Sequence, residues 1–298
     1  MKPSNSAPEH AVRPAIDQQL LQGLALPLLH ELERSCTSAA AARPVLALTA
    51  PVGAGKSTLA RQLQQLAAAR GIRLAVASID DAYRPWPERA QLLAGNPFGV
   101  NRVPPGSHEP ALLVEAIADW RQSGVLNLPR FDKTLRQGHG DRLAPVAQQA
   151  DALLLEGWLV GYEPCGIDRI NAWLAAQQHS ASSAAAAALS AAEQAWLPHW
   201  DQALADYQEL WGCCASFWVL QPADWSAVLR WRLQAEARQR RTSGKAMDAA
   251  AIRGLVRATI ASLPPDLYQP DLLSKARVVA TLDQRRRCVL IRPQRRLR

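Results

Sequence analysis

Residues 46–58, Leu46-Ala-Leu-Thr-Ala-Pro-Val-Gly-Ala-Gly-Lys-Ser-Thr58, decide how the rest of this chain is read. The apolar run Val45 to Leu48 fits a buried strand, and Lys56-Ser57 open a helical pattern on the far side of a small-residue loop. This order of strand, glycine loop, Gly-Lys-Ser and helix is that of a phosphate-binding loop, with Ala50 in place of the first glycine. Gly53, Ala54 and Gly55 keep the loop small enough for main-chain N–H groups and the helix N-terminus to face an anion. Lys56 then reaches the β- and γ-phosphates, the Ser57 hydroxyl ligates Mg²⁺, and Thr58 completes the nucleotide loop. A plain glycine turn is the bland alternative, but it does not require a lysine. The chain uses lysine only five times among 34 basic residues, so one retained here points to a compact ammonium.

The 298 residues suffice for one large α/β domain with additions, and 48% hydrophobic with 20% charged residues describes an ordinary soluble chain. The net charge of +8 suits phosphorylated small molecules as well as nucleic acid. Much of the excess lies at Arg285, Arg286, Arg287, Arg292, Arg295, Arg296 and Arg298, which read as a solvated basic tail. No aromatic residues interleave it, so nucleic acid is not the expected partner. Five cysteines form no CxxC and no metal spacing, and no continuous apolar segment follows Met1. A cytoplasmic protein with free thiols is expected.

Residues 1–44 are expected to form an N-terminal helical extension, with leucines from Leu20 to Leu32 packed on the core, and 45–298 the main domain. The helix after Lys56 runs to about Arg70, where Gly71 caps it. A second strand, Arg73 to Ser78, ends in Asp80-Asp81. Carboxylates at the C-terminal end of such a strand serve either chemistry or a helix cap. Residues 96–110, rich in Gly and Pro, read as an exposed loop holding Arg102 and His108, with Ser107 as cap of a helix from Pro110 to Arg121. A third strand, Val125 to Leu128, leads to Pro129-Arg130-Phe131-Asp132-Lys133, and Gly138 to Arg142 reads as a charged loop. The strand Asp151 to Leu155 ends in Glu156, the position of a carboxylate that holds Mg²⁺. The Ala/Ser segment 174–195 is a low-complexity insertion without assigned function. Further helices are expected over Trp196 to Trp211, Trp225 to Arg241 and Asp248 to Ser262, with strands at Phe217 to Leu220, Arg277 to Leu282 and Cys288 to Ile291. Arg232 and Arg238, on the arginine-rich helix, are candidates for a lid over phosphate.

With these motifs in hand, the chain resembles the P-loop small-molecule kinases that include uridine kinase, pantothenate kinase and phosphoribulokinase. Within that group it is most similar to the plant and cyanobacterial type of D-glycerate 3-kinase. The likeness rests on Arg102-Val-Pro-Pro-Gly-Ser-His108, where that type has Arg-Gly-x-Pro-Gly-Thr-His. It rests also on Pro129 to Lys133 with Gly140-Asp141-Arg142, on Glu156-Gly-Trp-x-x-Gly161, on Tyr207 to Trp211, and on Arg230 to Glu236. Two departures are Ala82, where Phe is usual, and Val103-Pro104. The resemblance implies a mostly parallel α/β sheet of the P-loop NTPase fold, flanked by helices on both faces, with helical insertions and a lid. It implies ATP with Mg²⁺, Asp80 as general base, Glu156 near the metal, and a small hydroxyl acceptor. Arg102, His108, Arg130, Asp132, Lys133 and Arg142 then form the acceptor side, where cations suit a carboxylate such as that of glycerate. A nucleoside, pantothenate or a sugar as acceptor stays open, as does a non-catalytic nucleotide-binding protein.

Overall fold

The computed structural model describes residues 16–37, 43–179, 189–243 and 247–293. Part of the Ala/Ser segment and the last five residues therefore lie outside the described residues. Eight strands are described: β1 Val45–Thr49, β2 Leu74–Ser78, β3 Val125–Asp132, β4 Asp141–Gln149, β5 Ala152–Gly157, β6 Ser216–Pro222, β7 Ala276–Leu282 and β8 Cys288–Pro293. Six form one sheet in the order β2-β5-β1-β6-β7-β8, parallel except for the antiparallel β8. The remaining two, β3 and β4, pair with each other in a separate antiparallel ribbon.

Strand β1 is apolar from Val45 to Leu48 because both of its faces are buried, as in parallel sheets generally, and the buried Thr49 hydroxyl at its end donates to Val160 O. Val45 and Ala47 join the core on one face, Leu46 and Leu48 the core on the other, each fully buried. The first face is covered by helices Ala111–Ser123, Gln208–Gly212 and Pro265–Lys275. The second is covered by Lys56–Ala68, Ala227–Ser243 and the N-terminal helix. That N-terminal helix spans 18–37 and contributes Leu24, Leu28, Leu29 and Leu32 to the common core. It contains a π-helical turn at Leu21–Ala25. Pro27 follows directly; lacking an N–H, it cannot make the α-type bond to Gly23 O, so the ladder loosens there.

Several expectations hold: the helix from Lys56 ends near Gly71, whose φ is +74°, and the chain closes in the β7–β8 hairpin. Others change. Gly138 to Arg142 is not an open loop at the end of a sheet strand; it finishes the turn between β3 and β4 and begins β4. Residues 102–108 are buried rather than exposed, apart from the half-buried Gly106, and Ser107 donates to Pro104 O instead of capping the following helix. Helices at Trp86–Leu92 and Pro265–Lys275 were not anticipated.

The parallel strands present their C-terminal ends together. From β1 the chain crosses to one side, to β2 and β5, and later from β5 to the other, to β6. A crevice at such a switch point is where open α/β sheets bind ligands.

Candidate functional site

The phosphate loop sits at that crevice. Ala50 N–H donates to Gly157 O at 3.0 Å, tying the start of the loop to β5. Gly53 has φ +78°, and a Cβ there would lie 2.7 Å from Arg232 N, so only glycine lets the loop pass the arginine-rich helix. Gly55, at φ +105°, stands at the N-cap of helix Lys56–Ala68 without a side-chain cap. The first N–H groups of that helix are thus left for an anion. Lys56 Nζ donates to Ala50 O at 2.9 Å and Pro51 O at 3.3 Å, and lies 4.0 Å from Glu156 Oε2. Burial lowers its pKa, with Glu156 and Asp80 opposing that shift.

The pair Asp80-Asp81 divides its two possible roles. Ile79–Ala82 is a short 3₁₀ helix whose N-cap, Ser78, accepts from Asp80 N–H, while Asp81 accepts from Ser78 N–H at 3.3 Å. Asp81 therefore closes a capping box, with Arg130 3.6 Å away, and burial raises its pKa. Asp80 faces the crevice. Its Oδ2 meets Lys133 Nζ at 2.5 Å, and its Oδ1 lies 3.7 Å from His108 Nε2. Burial opposes its ionisation, yet the Lys133 charge and the His108 imidazole hold the carboxyl well below its usual range.

Glu156 ends β5, in register with Leu48 on one side and Ser78 on the other. It is 7% exposed, burial pushes its pKa up, and Oε2 has no hydrogen-bond partner. Such an orphaned buried oxygen costs about 1–3 kcal/mol. Together with the Ser57 hydroxyl it supplies the hard oxygen donors that Mg²⁺ prefers, so these residues fit that ion.

A cavity of about 200 Å³ brings Lys56, Ser57, Asp80, Glu156, Arg102, Lys133 and Arg232 together. It adjoins a larger one of about 610 Å³ that shares Arg102, Lys133, Arg232 and Leu255. Of the acceptor-side candidates, Arg102 and Lys133 line the smaller cavity, while Arg130, Asp132, Arg142 and His108 do not. Arg142 is spent on Tyr83 O and Glu109. Asp132 accepts from Thr134 N–H and Oγ1–H. Arg232 pairs with Glu236 at 2.7 Å and closes one side, but Arg238 is exposed further along the same helix.

Two arginines that sequence reasoning passed over organise the surroundings. Arg89 is fully buried and donates to Asn101 O, Arg84 O, His139 O and Gly140 O. Burial lowers its pKa to about 10. It pins the Arg102 loop to the β3–β4 turn, and nothing local in the sequence marks it. Arg286, expected in a solvated tail, instead donates to Gly53 O at 2.8 Å and Trp231 O at 2.9 Å. Removing residues 285–298 would therefore reach the phosphate loop, not only a tail. Val103, where the resembled kinases have glycine, carries φ +102°, a conformation strained for a β-branched residue. Its side chain is buried, which holds it there.

No protein-family model matches the chain. Over 225 residues it is 28% identical to a chloroplastic D-glycerate 3-kinase of Arabidopsis thaliana, covering 71% of this chain and 45% of the relative. The chain thus spans less than half of that relative's length. It is also 28% identical over 204 residues to the uncharacterized kinase mug58 of Schizosaccharomyces pombe, covering 64% of this chain and 69% of the relative. Among solved structures, D-glycerate 3-kinase of Cryptococcus neoformans superposes with a TM-score of 0.73 at 24% identity, covering 93% of this chain and 98% of that one. The chain has the α/β P-loop fold, and its similarity runs to proteins named D-glycerate 3-kinase.

Proposed function

We propose that this protein is an ATP- and Mg²⁺-dependent kinase that phosphorylates D-glycerate at its 3-hydroxyl. The observation that carries the reading is the convergence of Lys56, Asp80 and Glu156 on one small cavity rimmed by Arg102, Lys133 and Arg232. Phosphoryl transfer needs an acceptor held in line and charge neutralised on the transferred group. Asp80 Oδ2 accepts the proton of the acceptor hydroxyl as that oxygen bonds to the γ-phosphorus and the bond to the β-bridging oxygen breaks. Lys133 must first leave Oδ2, and a substrate carboxylate gives its ammonium, with Arg102, an alternative partner. Lys56 and Arg232 line the cavity where the phosphates would lie, and Ser57 and Glu156 would hold Mg²⁺. When bound, that ion neutralises charge on the β- and γ-phosphates.

The relatives' names support the acceptor, and the cationic rim suits a small acid better than a neutral alcohol. A cytoplasmic site of action agrees with the five free cysteines. No helix among the described residues is long and apolar enough to cross a membrane. One observation favours a second reading, a related kinase with a bulkier acceptor: the adjoining cavity of about 610 Å³ exceeds what a three-carbon acid fills. The test is ATP consumption by purified protein offered D-glycerate, glycerol, uridine and pantothenate. Turnover on D-glycerate with little on glycerol is expected. Equal use of glycerate and glycerol, or activity on uridine alone, would remove the glycerate assignment.

A further inference from the structure

His108 is fully buried and lines no part of the cavity, so it cannot hold a substrate, yet its ring is fixed on every side. It stacks on Tyr83 with centroids 4.2 Å apart and planes 17° from parallel, and it meets the edge of Tyr207 at 5.8 Å. The main chains of Tyr83 and His108 also form an isolated antiparallel bridge. His108 Nδ1 lies 2.8 Å from the Tyr207 oxygen, and that hydroxyl accepts Gly106 N–H at 3.1 Å. Tyr207 keeps its own proton to give, and giving it to Nδ1 is the arrangement that avoids setting a bare Nε2 lone pair against the Asp80 carboxylate. A neutral imidazole that accepts at Nδ1 carries its own proton at Nε2. Burial lowers the pKa of His108, which keeps the ring neutral. Nε2 has no hydrogen-bond partner, and Asp80 Oδ1 stands 3.7 Å away. A shift of less than 1 Å closes that gap and relieves a buried orphan donor.

We propose that Tyr207 and His108 are positioning residues: the tyrosine hydroxyl fixes the Nε2–H tautomer, and that N–H holds Oδ1 of Asp80 so that Oδ2 faces the acceptor. The proposal rests on the reading of Asp80 as the base. No proton moves through the imidazole; the ring orients the carboxylate and favours its charged form. The other groups that face Asp80 are Lys133 from the end of β3, Lys56 from the phosphate loop and Glu156 from β5. Asp81 and Tyr83 face it from its own segment. The Tyr83 hydroxyl and the His108 ring are the neutral donors beside Asp80, and His108 Nε2 is the one that stands 3.7 Å from Oδ1, the oxygen that Lys133 leaves free.

The test reads the ring and the carboxyl without substrate. ¹⁵N NMR of histidine-labelled protein, assigned with His108→Gln, should show His108 protonated at Nε2 alone, and Tyr207→Phe should give a mixture of tautomers. ¹³C NMR of the Asp80 carboxyl, assigned with Asp80→Asn, should move up by about one pH unit in Tyr207→Phe and in His108→Leu. His108→Gln, which keeps an amide donor in place of Nε2–H, should restore most of that shift. A proton on Nδ1 in the wild type, or an Asp80 titration unchanged in the folded His108→Leu and Tyr207→Phe variants, would overturn the proposal. If Tyr207→Phe fails to fold, the Leu and Gln variants decide it alone. The kinase reading fails separately: a protein that shows this tautomer and titration but phosphorylates no acceptor refutes that reading and leaves the ring's role intact.

Discussion

The two halves of the crevice are built in different ways. The phosphate-loop half is made of main chain: a strand, two glycines with positive φ, and a helix N-terminus, all within residues 45–58. The acceptor half is assembled from three distant pieces, the Asp80 turn, the Arg102 loop and the β3–β4 ribbon. Buried arginine guanidinium groups tie these to carbonyls up to 51 residues away. The main-chain half draws most of its shape from one short stretch and takes the Arg286 guanidinium as a distant tie, whereas the acceptor half depends on several such ties at once.

Substitutions break this comparison in order of expected size. Lys56→Ala removes the ammonium assigned to the phosphates in the proposed reaction and should lower turnover about 1,000-fold or more, the scale of losing a preorganised charge-stabilising donor. Its melting temperature should stay near wild type, since the lysine packs in neither core. Near-normal turnover would refute the phosphate-loop assignment. Asp80→Asn should cost about 100-fold or more in turnover, with nucleotide affinity nearly unchanged.

In the proposed reaction Lys133→Ala acts on both the acceptor and the base, since Lys133 pairs with Asp80. The Michaelis constant for glycerate should rise roughly ten-fold, the loss of one charge-assisted bond. Asp80 is held low partly by Lys133, so its carboxyl should move up toward the ordinary range in this variant. The base is needed ionised; the acid limb of the pH profile should therefore shift to higher pH while activity at alkaline pH changes less. Arg130 faces Asp81 rather than the cavity, so Arg130→Ala should affect glycerate less than Lys133→Ala does.

Arg286→Ala should weaken nucleotide binding by roughly five-fold, about 1 kcal/mol, because it unties Gly53 without touching the phosphates themselves. Titration with a fluorescent nucleotide measures it. Asp81→Ala is expected to be the mildest: about 1 kcal/mol of stability for the lost bond to Ser78 N–H, read from the urea midpoint, with turnover largely kept. A dead Asp81→Ala beside an active Asp80→Asn would exchange the two roles.

The same contrast explains what was legible in the sequence. The phosphate loop, Glu156 and the Asp80-Asp81 pair announce themselves because their geometry is local and their residue types are forced by it. Which aspartate caps and which faces the crevice was not legible, since both readings are true, one for each residue. The β3–β4 ribbon was missed beyond Leu128 because Pro129 and Pro145 argue against a sheet interior. A two-stranded ribbon has only edges, and there proline is tolerated. The helix Pro265–Lys275 was hidden likewise by Pro265 and Pro270, although proline at the first turn is a helix start. Residues 96–108 look like surface by composition. Arg102 to Pro105, Ser107 and His108 are nonetheless buried: Arg102 donates to Gly138 O and His139 O, and Arg89 joins Asn101 O to the same turn, a long-range fact with no local pattern.

The tie between Arg286 and Gly53 also has a meaning in time. It joins positions 233 residues apart, and β1, which carries the phosphate loop, needs the later strands β5 and β6 as neighbours on either side. During synthesis, at about 5–20 residues per second, the loop is made first and waits for β5, β6 and, 233 residues downstream of Gly53, Arg286. A product broken off before the β7–β8 hairpin has its lysine and glycines but lacks the clamp that joins the loop to Trp231. The phosphate loop is therefore completed long after it is made, and termination within that interval yields a chain that carries the motif without its assembled surroundings.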